Sequence, residues 1–190
     1  MPYRQTPFAA GQCYHLYNRG VNYQPVFFCE KNWAFFLQQV RLYFQPQFVE
    51  VLAYCLMPNH YHFLIYLKTD DFSARIMQPF SVSYTKAVNK QQHRVGPLFQ
   101  GPFRSVRVDT NSYLMHLSKY IHLKPLKARL VEKLSEWTYS SYPEYLGIRK
   151  GNLPRMEMIL AFFPGSNAYR EFVEAPGDQE VKGIEHLLLD

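Results

Sequence analysis

Residues 48–68, FVEVLAYCLMPNHYHFLIYLK, limit the possible folds more than any other stretch of the chain. Two runs rich in apolar, aromatic and β-branched residues flank Pro58-Asn59, a turn signal, and read as the two arms of a hairpin. The first arm is apolar enough to be buried on at least one face. The second carries two histidines, His60 and His62. Strand side chains alternate, so both imidazoles share one face while Tyr61 and Phe63 take the other. Two neutral imidazoles at this spacing can reach one divalent ion and leave positions open for substrate oxygens. The competing reading is a pair of half-buried histidines satisfied by hydrogen bonds.

The rest of the chain supplies the partners such a hairpin needs. CYHLYNRG (13–20) reads as a short strand with Tyr14 and Leu16 on one face and His15 and Tyr17 on the other. From Glu30 to about Phe44, the residues Trp33, Phe36, Leu37, Val40 and Phe44 make a helical stripe that Pro46 ends. A second helix is expected over about 73–90, bent or opened by Pro79. Gly96-Pro97 and Gly101-Pro102 punctuate a loop over 91–104, and RSVRVD (104–109) resembles an edge strand. Thr110 or Asn111 can cap a last helix that Pro125 stops at Lys124. The order β α β β α β α predicts an α+β fold, an antiparallel sheet with helices packed on it. At 190 residues the chain suits one domain, placed here at 1–150, followed by a C-terminal extension at 151–190.

Charge is distributed unevenly. Glu174 to Asp190 holds five acids and one lysine, so the total of +6 leaves +10 on residues 1–173. Between Lys86 and Arg129 stand nine Lys or Arg and a single acid, Asp109. Such a cluster points to a polyanionic partner, and an aromatic content of 17 % offers rings on which single-stranded bases stack. Cys13, Cys29 and Cys55 are odd in number and lack a CxxC, which suggests reduced, buried thiols in a cytoplasmic protein. No apolar run reaches the ~18 residues of a membrane span, and the first residues lack the layout of a signal peptide.

In NSYLMHLSKYIHLKP (111–125), Leu114, Leu117 and Ile121 form a core stripe, and Tyr113, His116, Tyr120 and Lys124 lie together on its flank. A tyrosine beside a bound metal can attack a phosphodiester. The spacing does not choose between Tyr113 and Tyr120.

Five ordered blocks, YHLYNRG, YCLMPNHYHFLI, SYTKAVNK…HRVGPLFQGPFRS, YIHLKPLKARLV and WTYSSYPEYLG, resemble those of the single-tyrosine HUH transposases over about residues 12–147. The likeness is greatest to the REP-associated branch and to relatives of small insertion-sequence transposases. This resemblance implies a ferredoxin-like sheet with helices on one face, His60 and His62 as metal ligands, and Mg²⁺ or Mn²⁺ as the metal. It also implies Tyr120 as nucleophile, because that residue opens the Tyr-Ile-x-Leu-x-Pro block. The substrate would be single-stranded or hairpin DNA, nicked and rejoined through a 5′-phosphotyrosine in a nucleoid-associated, bacterial-type setting. Relatives work as monomers and as homodimers. The chain departs from the pattern at Lys124, where these relatives usually carry Asn or Gln as a third metal contact. A protonated lysine donates but cannot ligate a cation. Lys124 either holds the scissile phosphate instead, or marks a protein that binds hairpin DNA without cutting it. Candidate DNA contacts are Arg94, Gln100 and Arg104 beside the Gly/Pro loop, with Phe99 as a stacking partner. Asn18 and Arg19 follow the first strand, and Lys119, Lys127 and Arg129 surround the tyrosine helix.

Overall fold

The structure is a computed structural model and describes residues 7–176. Four strands, β1 (Cys13–Arg19), β2 (Val49–Met57), β3 (His60–Leu67) and β4 (Arg104–Val108), form one antiparallel sheet in the order β2-β3-β1-β4. Helix α1 (Glu30–Tyr43) links β1 to β2, and α2 (Gln78–Gln91) links β3 to β4. This is the βαββαβ order of a ferredoxin-like fold, and the hairpin expected from residues 48–68 is β2–β3. Because β3 and β1 are the central strands, the histidine pair sits in the middle of the sheet.

The sheet is covered on both faces, which corrects the expectation of helices on one face. Tyr14, Leu16, Tyr54, Leu56, Tyr61, Phe63 and Ile65 pack against Trp33, Phe36 and Val40 of α1 and Phe80, Tyr84 and Val88 of α2. On the opposite face, Ala53, Cys55, Met57 and Leu64 pack against Leu114, Leu117, Tyr120 and Ile121 of α3 (Asn111–Lys127). A bulge between Val51 and Ala53 in β2 makes this division possible. One extra residue reverses the alternation, so Val51 faces the first layer while Leu52 and Ala53 both face the second. The bulge also sets the register that places Cys55 opposite His62 and Met57 opposite His60.

Local chemistry explains where the helices begin and end. A π-helical turn over Ser73–Met77 runs directly into α2, and Pro79, which has no N–H to give to the preceding turn, stands where the helix changes from π to α. Thr110 caps α3 by accepting from the Tyr113 amide at 3.1 Å. Pro125 does not stop this helix as expected; α3 continues to Lys127. The proline removes one helical bond, the donor to the Ile121 carbonyl, and the burial of Ile121, Lys124 and Pro125 against the core holds the last turn in place.

Beyond α3 come α4 (Tyr142–Tyr145), α5 (Glu157–Leu160) and α6 (Ser166–Glu174). Tyr142, Tyr145, Ile159, Tyr169 and Val173 join the same buried layer as α3. The extension from residue 151 therefore packs on this layer as far as residue 176, and residues 177–190 of the acidic tail lie outside the described residues. All three cysteines are free thiols; Cys55 is buried and Cys13 half-buried, but Cys29 is exposed, contrary to expectation. Among the described residues no helix is long and apolar enough to cross a membrane.

Candidate active site

The α3-facing side of β1 and β3 gathers three histidines, a tyrosine and a lysine within a short span of one another. His62 is fully buried because β1 and β2 flank it, with Tyr17 and Cys55 as its cross-strand neighbours. His60 opens β3 beside it, and the two rings stand at 87° with centroids 5.1 Å apart. Tyr120 presents its ring to His62, with centroids 5.8 Å apart and the planes nearly perpendicular. One turn later on α3, the Lys124 ammonium lies 4.1 Å from the centroid of the Tyr120 ring. His60, His62, Tyr120 and Lys124 thus form one cluster. Tyr113 stands apart from it: it is half-buried, its hydroxyl has no hydrogen-bond partner, and burial together with Asp109 and Tyr17 pushes its pKa up to about 12.

The strand and turn around the histidines fix their protonation. Asn59 donates from Nδ2 to the Tyr23 carbonyl at 3.2 Å, which turns its Oδ1 toward His60 Nδ1 at 2.7 Å. An amide oxygen only accepts, so His60 donates through Nδ1, which leaves Nε2 as the nitrogen that a neutral ring would offer to a cation. Burial holds His62 well below the ordinary histidine range, with smaller contributions from His15, His60 and Lys124. It is a neutral imidazole, the form that binds metal.

Sequence reasoning missed His15. It is fully buried on β1, and its Nε2 lies 2.9 Å from His62 Nδ1. Burial first, then Lys124, pushes it down to about 3, so it is neutral as well. The alternation of CYHLYNRG placed His15 and Tyr17 on one face, but the signal that joins His15 to His62 is strand pairing across about 47 residues.

The donor set can be tested for the divalent cation that the sequence led us to expect. His62 Nε2 is buried and has no hydrogen-bond partner, as a ligand atom awaiting an ion would be. His60 next to it uses Nδ1 for the Asn59 bond, which leaves Nε2 on the far edge of the ring. Two imidazoles would fit an open cation site, the rest of whose shell would come from oxygens outside the pair. Lys124 adds no ligand. Among the described residues no group of three or more His, Cys, Asp or Glu is assembled as a closed metal cage.

The expected DNA contacts divide into two groups. Arg19, Tyr23, Asn59, His60, Lys124 and Lys127 line a cavity of about 270 Å³ that opens beside the histidine pair. Arg19, Gln100 and Arg104 line a smaller notch next to it. Arg19 lies 4.2 Å from the Tyr23 ring centroid and donates through Nε to the Gln100 side chain. Asn18 also lines this notch, hydrogen-bonded within the fold, whereas Phe99 and Lys119 are used in packing. Asn18 donates to the Gly101 carbonyl at 3.1 Å and accepts from the Arg19 amide at 2.9 Å. Phe99 is buried against Tyr61 and Tyr84 and offers no face for stacking on a base. Lys119 is buried and donates to the Ala175 carbonyl at 3.1 Å, tying α3 to the end of α6. Arg94 reaches the Gln24 side chain and lies 5.5 Å from the Phe28 ring centroid, and Arg129 is exposed just past α3.

Comparison with known proteins places this geometry. Residues 13–124 match the family model described as IS200-like transposase. The chain belongs to the IS200-like transposase family. A Haemophilus influenzae protein named as a REP-associated tyrosine transposase is 27 % identical over 104 residues, 49 % of this chain and 58 % of that one. The match therefore spans somewhat over half the length of that relative. Among solved structures, a REP-associated tyrosine transposase bound to a REP hairpin superposes with a TM-score of 0.61 at 18 % identity, covering 82 % of this chain and 97 % of its own. That likeness establishes the shared fold, and with it the antiparallel α+β architecture of this IS200-like transposase.

Proposed function

We propose that this transposase nicks and rejoins single-stranded DNA near a hairpin, with Tyr120 as nucleophile and His60 and His62 holding a divalent cation, Mg²⁺ or Mn²⁺. The observation that carries this reading is the juxtaposition of Tyr120 with the histidine pair, its ring 5.8 Å from that of His62. The Tyr120 oxygen attacks phosphorus and its proton passes to solvent. The bond from phosphorus to the 3′ oxygen breaks, that oxygen takes up a proton, and the phosphate stays on Tyr120 as a 5′-phosphotyrosine. Attack by a 3′-hydroxyl reverses the step and releases the tyrosine, so rejoining needs no external energy source. The bound cation would supply Lewis-acid polarisation of the scissile phosphate. Lys124 sits where it can offer its ammonium to a phosphate oxygen. Arg19, Gln100, Arg104 and Lys127 line the cavities beside the site and supply contacts along the DNA backbone. The likeness to the hairpin-bound REP-associated enzyme supports hairpin DNA as the partner.

Lys124 favours a second reading, a protein that binds hairpins without cutting them, because a cation next to an ammonium is held weakly. A labelled hairpin oligonucleotide with Mn²⁺ decides between the two. Cleavage predicts a covalent protein–DNA band that disappears in Tyr120→Phe. Retarded DNA with no covalent band in the wild type supports binding alone. Strand cleavage that survives Tyr120→Phe overturns the tyrosine mechanism and assigns the attack to water.

A further inference from the structure

We propose that His15 is a positioning residue that holds His62 in the one tautomer able to bind the cation. The inference rests on the metal-site reading above and extends it to a strand on which no ligand was expected. His15 Nε2 and His62 Nδ1 are 2.9 Å apart and both rings are fully buried, so one proton lies between them. Each neutral imidazole carries a single proton, which leaves two arrangements. With the shared proton on His15 Nε2, His62 must carry its own proton on Nε2, and that atom cannot ligate. With the shared proton on His62 Nδ1, His15 accepts the bond and the His62 lone pair falls on Nε2. That atom is the buried nitrogen without a hydrogen-bond partner, on the histidine that faces Tyr120.

The arrangement repeats the one at His60 with a different acceptor. Asn59 Oδ1 takes the Nδ1 proton of His60, and His15 Nε2 takes the Nδ1 proton of His62. Ligating histidines commonly pass their other N–H to an acceptor that fixes the ring and its tautomer, and losing that acceptor weakens metal binding about 10–100-fold. Asn59 cannot switch roles, because its amide nitrogen is committed to the Tyr23 carbonyl. The His15 ring can switch, and binding of the cation at His62 Nε2 selects the arrangement in which it accepts. His15 Nδ1 then carries a buried proton without a partner, a local cost that the neighbouring ligand makes worthwhile.

The test measures metal binding directly, not cleavage. Mn²⁺ binding to the full chain is titrated through the electron-paramagnetic-resonance signal of free aqueous Mn²⁺, in the wild type, His62→Ala, His15→Phe and His15→Gln. Urea unfolding of each variant is recorded alongside. The expected result is binding by the wild type, loss in His62→Ala, affinity about 10–100-fold lower in folded His15→Phe, and recovery of most of it in His15→Gln, whose amide oxygen can accept in place of Nε2. Unchanged affinity in His15→Phe beside loss in His62→Ala overturns the role of His15 alone. A wild type that binds no Mn²⁺, or binding untouched by His62→Ala, overturns the metal site and this proposal with it. Should His15→Phe not fold, long-range ¹H–¹⁵N correlation of the wild-type histidine rings with saturating Mg²⁺ gives the answer. A proton on His62 Nδ1 supports the proposal, and a proton on Nε2 overturns it.

Discussion

The two faces of the central strands are made from alternate residues of the same short segments, yet they are chemically unlike. Toward α1 and α2, Tyr14, Leu16, Tyr61 and Phe63 meet a layer of aromatic rings. Among the buried polar side chains on that side, Asn32 and Gln39 bond to Gln91 and Ser83 along the seam between the helices, and Asn18 bonds to the Gly101 carbonyl. Toward α3, the same strands turn His15, Tyr17, His60 and His62 to a helix that contributes Tyr120 and Lys124. One face is built for stability, and the other buries groups that are costly to dehydrate. Such a split lets the first face fix the geometry in which the second holds its polar groups.

The largest effect should come from damage to the aromatic face. Phe36 is fully buried with five aromatic rings within 6.2 Å of its own. Phe36→Ala should cost about 3–5 kcal/mol of unfolding free energy, as truncations of buried rings do. Urea denaturation measures it. A cost below about 1 kcal/mol would mean that the aromatic layer is not the stabilising face.

The division between faces was legible in the sequence only where period 2 is unbroken. His60 and His62 share a face, Tyr61 and Phe63 share the other, and no pairing information is needed to see it. The bulge at Leu52 was hidden, because β2 is apolar at nearly every position and a change of parity leaves no trace in such a run. His15 was read as a strand residue, but its meaning depends on which strand lies beside β1. The packing of Phe99 and the bonds of Asn18 were hidden for a related reason. Gly/Pro punctuation marks a loop, and here the loop is fastened to the end of β1 by the Gly20–Phe99 bridge and the Asn18–Gly101 bond. Lys119 shows the limit of counting charges: a lysine in a basic stretch can still be buried and occupied by a carbonyl.

The next effect in size concerns the polar face. Lys124→Asn removes an ammonium from the side of the histidine pair and supplies an amide oxygen that can ligate. Mn²⁺ affinity should rise by about 10–100-fold, the range typical of changes around a metal's ligands, read by calorimetric titration. The same substitution should leave the unfolding free energy within about 1 kcal/mol of wild type, the opposite profile to Phe36→Ala. An unchanged metal titration would show that Lys124 does not oppose the cation and would remove the main argument for binding without cleavage.

The smallest effect separates the faces by pH. His122 lies on the α3 side, fully buried, between the Tyr169 hydroxyl at 2.8 Å and the Ser141 hydroxyl at 2.7 Å. Burial pushes it down to about 3. Between pH 6.5 and 3 the unfolded chain therefore holds a proton on this residue that the folded chain does not. Stability from this group is present above about pH 6.5 and is lost as pH falls. At pH 5.5 the loss amounts to about 1.4 kcal/mol for one such histidine. His122→Gln keeps a donor and an acceptor but cannot titrate, so it should lose about 1.4 kcal/mol less than the wild type between pH 7.5 and 5.5, whatever its absolute stability. Because His15 and His62 are common to both proteins, their contributions cancel in the difference. Equal pH slopes for the two proteins would mean that His122 already takes up a proton in the folded state, and that the α3 side tolerates charge better than its burial implies.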